Sequence, residues 1–371
     1  MREIRPGLTP ELQAHCKGVP VWRAKAFRVT TFRALVEHVA KLAYANRDDL
    51  LFFRGQDKDY RSRAEGTTLY PAIYRGDVIS HAEMRHRFDL LDQASRLLVK
   101  RWKAAKVDGH SELRRKRYIQ WSILQHYEVA ATPLLDLTHS LRVACSFAQL
   151  RSTDPTCYVY VLGLPYITNR ITINSEHDLV NIRLLSICPA AALRPHFQEG
   201  YLAGTADVTY EYDSKTELDF RNRLVAKFSI PRSPSKFWGA GFHQIPEGSL
   251  FPKNDKVFDL SRRLRSELKD ELQPGALGGF IKEWVTLEEY LLDTARRVTQ
   301  RNVSVREAIS QLAKRQIISG SLANEIQALR KLRNSLVHRP DTVEPDKLGI
   351  WTERLRQVLR LIKRGDGFEG S

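Results

Sequence analysis

Residues 280–364 read as helical throughout. Four segments there (FIKEWVTLEEYLLDTARRV, VREAISQLAKRQII, SLANEIQALRKLRNSLVH and KLGIWTERLRQVLRLIK) repeat apolar residues at a spacing near 3.6. Amphipathic helices joined by short connections bury their stripes best against one another, so this part is expected to be an antiparallel four-helix bundle. Strand-like runs rich in β-branched and aromatic residues lie upstream, TCYVYVLGLP at 156–165 and RLVAKFSIP at 223–231. A chain of 371 residues also exceeds what one core usually holds. The expected class is therefore α+β, a mixed domain followed by an all-α domain.

Finer organisation follows from local signals. Residues 1–28 look like an N-terminal tail or docking segment. TTFRALVEHVAKLA places Phe32, Leu35, Val36, Val39 and Leu42 at helical spacing behind a capping threonine. LLFFRG reads as a short buried strand ending at Gly55, and residues 81–106 as a helix. The Pro and Gly content of KDELQPGALGG predicts a linker at 267–279, separating a domain at 29–266 from the bundle at 280–365. Four scattered cysteines (Cys16, Cys145, Cys157, Cys188) form no CxxC pair, so neither a disulfide framework nor a metal site is expected. No apolar run of membrane-spanning length and no signal-peptide core occurs, and a cytoplasmic, non-membrane location is the expectation.

Charge points to partners. Lys and Arg number 59 against 43 Asp and Glu, a formal net charge of +16. Such a field concentrates polyanions, which makes nucleic acid the first candidate. An acidic antitoxin-like or regulatory protein would benefit from the same field. Residues 96–117 are the densest basic stretch and include the run RRKR; they form either a solvated helix and loop or a phosphate-binding face.

Several residues carry candidate chemistry. The planar guanidinium of Arg54 suits a diphosphate, and Gly55 behind it would let a ligand approach the backbone. Thr138 and Ser140 are two apart, so both hydroxyls face one side of an extended segment; Ser140 also suits the N-cap of the following helix. The plain alternatives are an ion-paired Arg54, a turn residue at Asp136 and a simple cap at Ser140. His126 and Tyr127 either line a pocket or pack beneath the LLDLT strand.

FFRGQ at 52–56, QHYEVAATPLLDLTHSLRVACSFAQL at 125–150, FQEGY at 197–201 and the later Ile230-Pro231 and Leu250-Phe251-Pro252 together resemble the FRG domain, a bacterial module named for its Phe-Arg-Gly motif. That resemblance implies a variant of the ADP-ribosyltransferase fold acting on NAD as co-substrate, with no metal. By it, Arg54 would hold phosphate, Thr138 and Ser140 would form the middle motif, and Gln198 would stand where an acidic residue is usual. Gly55, Gln56, His126 and Tyr127 would complete the NAD site. A glutamine is not a general base, which sets this chain apart from the usual pattern.

LRKLRNSLVHRP at 329–340 resembles the active-site helix of HEPN ribonucleases, with Arg333, Asn334 and His338 as its motif. Asn334 and His338 share a helical face while Arg333 lies about 140° away, so the resemblance implies a homodimer in which two such helices meet. The combined expectation is a toxin or antiphage effector that ADP-ribosylates nucleic acid, RNA being favoured. The alternatives are a metal-independent endoribonuclease with the FRG-like part as sensor, and a non-catalytic module sensing NAD or a nucleotide.

Overall fold

The computed structural model describes the chain except residues 63–65, 77–80, 207–211, 213, 302, 339–344 and 365–371; side chains are further left undescribed at 81–83, 85–86, 151, 269–278, 335–338, 345–347 and 363–364. Two compact units emerge, residues 1–79 with 87–264, and residues 80–86 with 265–371. The mixed α+β expectation holds at this level.

The first unit is built on one eight-stranded sheet. Its strands are β1 (Phe27–Arg28), β2 (Leu50–Gln56), β3 (Leu135–Thr138), β4 (Thr156–Leu164), β5 (Ile171–Asn174), β6 (Leu179–Arg183), β7 (Gly200–Gly204) and β8 (Leu224–Pro231). They run in the order β1-β8-β4-β2-β3-β7-β6-β5, antiparallel throughout except for the parallel pairing of β1 with β8. β4 and β8 lie inside the sheet, and their near-continuous apolar sequences are buried on both faces. On one face the helix Leu141–Arg151 packs Ala144, Cys145 and Ala148 against Phe53, Val159 and Val161. The other face buries Phe52, Leu137, Tyr160 and Leu162 with Leu69 and Phe220.

β2 and β3 are bridged at one pair, Phe53 with Thr138, whereas β2 is paired with β4 along its whole length. A cleft therefore opens in the middle of the sheet, directly after Phe53.

The N-terminal segment is not a tail. The helix Pro10–Cys16, capped by Thr9, buries Leu12 and Cys16, and β1 adds an edge strand beside Phe228 and Ser229. The reason is the apolar positions Leu12, Cys16, Val21 and Val29, too few for sequence periodicity but enough to cover the sheet edge. Residues 267–279 are not a loop either. They lie inside the helix Lys256–Thr299, whose flanks are rich in Leu, Glu, Lys and Arg, residues of high helical propensity on either side of the local breakers.

In the second unit that helix is joined by Val305–Lys314, Gly320–His338 and Pro345–Arg364. Trp284, Leu287 and Leu291 recur at helical spacing and meet Ile309, Leu312, Ile326, Leu329, Leu355 and Val358 in one core. Ser304 accepts a hydrogen bond from the Glu307 amide, marking where the second of these helices begins.

Candidate functional site

The cleft between β2 and β3 opens into a pocket of about 630 Å³, within the size range of small-molecule sites (roughly 300–1,000 Å³). Alternation along β2 sends Phe52, Arg54 and Gln56 to one side and Phe53 and Gly55 to the other. Arg54 reaches across the gap, its Nη1 donating to the main-chain carbonyl of Asp136 at 2.6 Å. Burial pulls the guanidinium pKa down to about 10 while the Asp136 charge opposes the fall, so Arg54 remains a cation at neutral pH. Its Nε has no partner among the described residues.

Asp136 is the hub. It sits on β3 between buried Leu135 and Leu137, and its carboxylate, 37 % accessible, faces the pocket. Gln125 Nε2 donates to Oδ2 at 2.6 Å, and His126 Nδ1 lies 3.3 Å from Oδ1. Gln125 is held in turn by the Thr132 hydroxyl at 2.5 Å. Burial alone would raise the Asp136 pKa. The hydrogen bond and charge of His126, the charge of Arg54 and the Gln125 amide outweigh it and keep the carboxyl below its ordinary value. The Gln-His pair thus ends the helix Arg117–His126 with both side chains aimed at one acid.

The wall is predominantly basic: Arg54, Arg61, Arg75, Arg194 and Lys215 face Asp57, Glu128 and Asp136. Lys215 lies over the Tyr70 ring at 4.6 Å, and Arg194 over Phe251 at 4.5 Å. Arg194 also donates to the His126 carbonyl at 3.1 Å, tying the Gln-His turn to the far wall. Four buried polar atoms of lining residues, Arg54 Nε, Gln56 Oε1, Ser62 Oγ and His126 Nε2, lack a hydrogen-bond partner among the described residues. Buried polar groups are normally satisfied, so such a concentration at one pocket fits a site built for a polar ligand.

Residues 49–156 match the FRG domain family. No curated protein and no solved structure matches the chain. The FRG match covers less than a third of the chain, yet it contains Arg54, Gln125, His126, Asp136, Thr138 and Ser140, whereas Arg194 and Gln198 lie beyond it.

Of the residues anticipated from sequence, Arg54, Gly55, Gln56, His126, Thr138 and Gln198 line the pocket. Tyr127 does not. It is buried on the other side of the turn, its hydroxyl 2.8 Å from Asp255, whose other oxygen caps the helix Lys256–Thr299. Ser140 also stands outside the lining and accepts from the Val143 amide as the N-cap of the helix Leu141–Arg151. Thr138 donates to the Gln198 carbonyl at 2.9 Å, and the Gln198 amide donates to the Leu250 carbonyl at 2.9 Å, so both polar groups bind the fold. Gly55 serves packing rather than ligand approach: a Cβ there would collide with the Ala144 carbonyl oxygen and stand 2.8 Å from the Ala148 nitrogen.

Asp136 is a strand residue, not a turn residue, because Leu135, Leu137 and Thr138 pair with β7. An acid alternating with apolar residues in a buried strand was the available signal. Arg75, Arg194 and Lys215 had none, being brought to the pocket from distant parts of the chain. In the second unit Arg333 is half-buried and donates to Asn334 Oδ1 at 3.3 Å, while the His338 side chain lies outside the described residues. Among the described residues no group of three or more His, Cys, Asp or Glu could hold a metal, and no helix is long and apolar enough to cross a membrane.

Proposed function

We propose that the β2–β3 pocket binds NAD and that the chain transfers its ADP-ribosyl group to a nucleic acid acceptor, RNA before DNA, in the manner of a growth-arresting toxin or antiphage effector. The observation carrying this reading is the ionised Asp136 carboxylate held beside the Arg54 guanidinium in a basic, ligand-sized cleft. A sheet parted around an arginine is also what an ADP-ribosyltransferase-like fold would require. The orphaned atoms of Arg54, Gln56 and His126 suit the polar edges of a nucleotide.

Bound NAD supplies an ADP-ribosyl group on a leaving group whose ring already carries the positive charge, so no acid is needed to detach it. Arg54, with its uncommitted Nε, and the rim cations Arg75 and Lys215 hold phosphate. Asp136 balances the positive charge that develops at the ribose carbon, and Gln125 and His126 fix its orientation. Gln198 and Thr138 position the wall instead of reacting. Asp136 thereby takes the acidic role that Gln198 lacks.

The helical unit is read as a HEPN-like bundle on the Arg333, Asn334 and His338 spacing, serving to assemble a homodimer or hold the acceptor. A second reading, non-catalytic sensing of NAD, is favoured by the engagement of the Thr138 and Gln198 polar groups within the fold. The deciding experiment incubates the full chain with NAD labelled in its adenylate phosphate and with RNA, DNA or protein. Label entering nucleic acid with wild type, and at least a hundredfold less with Asp136→Asn, is the expected result. NAD bound at the pocket with no label transferred to any fraction would establish the sensing reading instead.

A further inference from the structure

The basic stretch at 96–117 falls on three helices, and most of its charged side chains are exposed. On the helix His81–Ala104, Leu91, Leu98 and Trp102 face the core while Arg96, Lys100 and Lys103 recur at helical spacing on the exposed side. Lys106 follows in the connection. The run 114–117 then occupies the junction between the helices His110–Arg115 and Arg117–His126, and all four of its side chains are exposed. Among the described residues, Arg96, Lys100, Lys103, Lys106 and Arg114 make no ion pair; the carboxylate of Glu112 serves Lys116 at 2.5 Å and Arg170 at 3.1 Å.

A cleft of about 300 Å³ opens at this junction. Its apolar walls are Ile119, Ile171 and Ile187, and its rim carries Asn169 and Glu112, the latter paired with Lys116 and Arg170. An apolar slot with hydrogen-bonding groups at its mouth, on a stretch of chain that also carries exposed unpaired cations, suits a flat heteroaromatic ring attached to a phosphate chain. An anionic membrane would match the cations but has no group for the slot.

We propose that this surface binds single-stranded nucleic acid, phosphates lying along Arg96, Lys100, Lys103 and Arg114 and one unstacked base entering the Ile119–Ile171–Ile187 cleft. A base can enter only when freed from its stack, which selects single strands over duplex. The placement serves the transferase reading, on which its role as acceptor site rests. The ten-residue helix Arg117–His126 begins at this surface and ends at the Gln125–His126 turn of the pocket, about 14 Å away along its axis. A strand held at one end of that helix is within a few nucleotides of the other.

The test measures binding without NAD, so its outcome is independent of whether transfer occurs. Fluorescence anisotropy of the full chain is recorded with a labelled 12-nucleotide RNA, a DNA of the same sequence, the corresponding duplexes, and phosphatidylserine vesicles. Four unpaired cations at the single-strand slope of about 0.7 per phosphate predict an affinity loss of roughly fiftyfold between 50 and 200 mM salt. Lys100→Glu/Lys103→Glu should weaken single-strand binding at least tenfold. Asn169→Trp, an exposed rim position that would fill the cleft, should weaken single strands and leave duplex unchanged. Absence of single-strand binding at 50 mM salt overturns the proposal. So does vesicle binding in preference to nucleic acid, or equal affinity for single and double strands that Asn169→Trp does not alter.

Discussion

Lys227→Met probes the support of the pocket rim. Lys227 on β8 is 3 % exposed and stands opposite Tyr160 of β4. Its ammonium lies 3.3 Å from Asp59 Oδ2 and 2.5 Å from the Thr67 hydroxyl, while Asp59 Oδ1 accepts from Tyr160 at 3.0 Å and Thr67 at 2.7 Å. Asp59 belongs to the segment after β2 that brings Asp57, Tyr60, Arg61 and Ser62 to the pocket. Methionine keeps the volume and removes the charge, which leaves a buried carboxylate without its counterion. Breaking one side of such a pair costs about 3–5 kcal/mol; Arg61, 3.9 Å from the same oxygen, can relieve part of it, so about 3 kcal/mol is expected here. Asp59→Asn/Lys227→Met removes both charges and should recover most of the loss, a coupling of about 2 kcal/mol. Hydrogen exchange of β4 amides, followed by mass spectrometry, reads the stability of this unit separately from the helical one. A loss under about 1 kcal/mol in the single variant, or additivity of the two substitutions, would show that Lys227 does not support the rim through Asp59. The released segment should also weaken NAD binding about tenfold in the single variant, with recovery in the double.

Three further outcomes are expected. Gly55→Ala forces the helix Leu141–Arg151 away from β2, and a drop of about 3 kcal/mol in unfolding free energy should appear by denaturant titration. Burial, together with neighbouring charges such as Asp219, Asp255 and Asp59, raises the pKa of Tyr70, Tyr127 and Tyr160, and burial near Tyr212 raises that of Tyr74. The unfolded chain releases these protons near pH 10 while the folded chain retains them, so stability should fall as pH rises above about 10, by up to about 1.4 kcal/mol per pH unit for each tyrosine. Lys227, whose pKa burial depresses, acts in the opposite direction below its ordinary value, while Cys145, Cys157 and Cys188, whose pKa burial raises, begin the fall from about pH 8.5; thermal melts read both. Arg54→Lys keeps a positive charge but cannot span the carbonyl of Asp136 and a ligand at once; labelled NAD should transfer at least tenfold more slowly, and equal rates would remove Arg54 from the site.

Local sequence determined a good deal. Periodicity and residue type set out β2, β4, β8 and the helices of the second unit, because a run such as TCYVYVLGL has few conformations that bury it well. The FRG and QHY stretches likewise marked Arg54 and His126 as pocket residues. What local sequence could not determine was how polar groups divide their hydrogen bonds. Thr138 and Gln198 stood among the expected site residues, but the Thr138 hydroxyl and the Gln198 amide nitrogen donate to main-chain carbonyls. Asp136 looked incidental, but Gln125, His126 and Arg54 converge on it once β3 lies beside β2. The basic wall is assembled from residues as far apart as Arg54 and Lys215, and the cleft exists because β2 and β3 part after a single bridge. Hydrogen-bond partnership and charge balance depend on distances between remote segments, and those distances arise only when the sheet has formed.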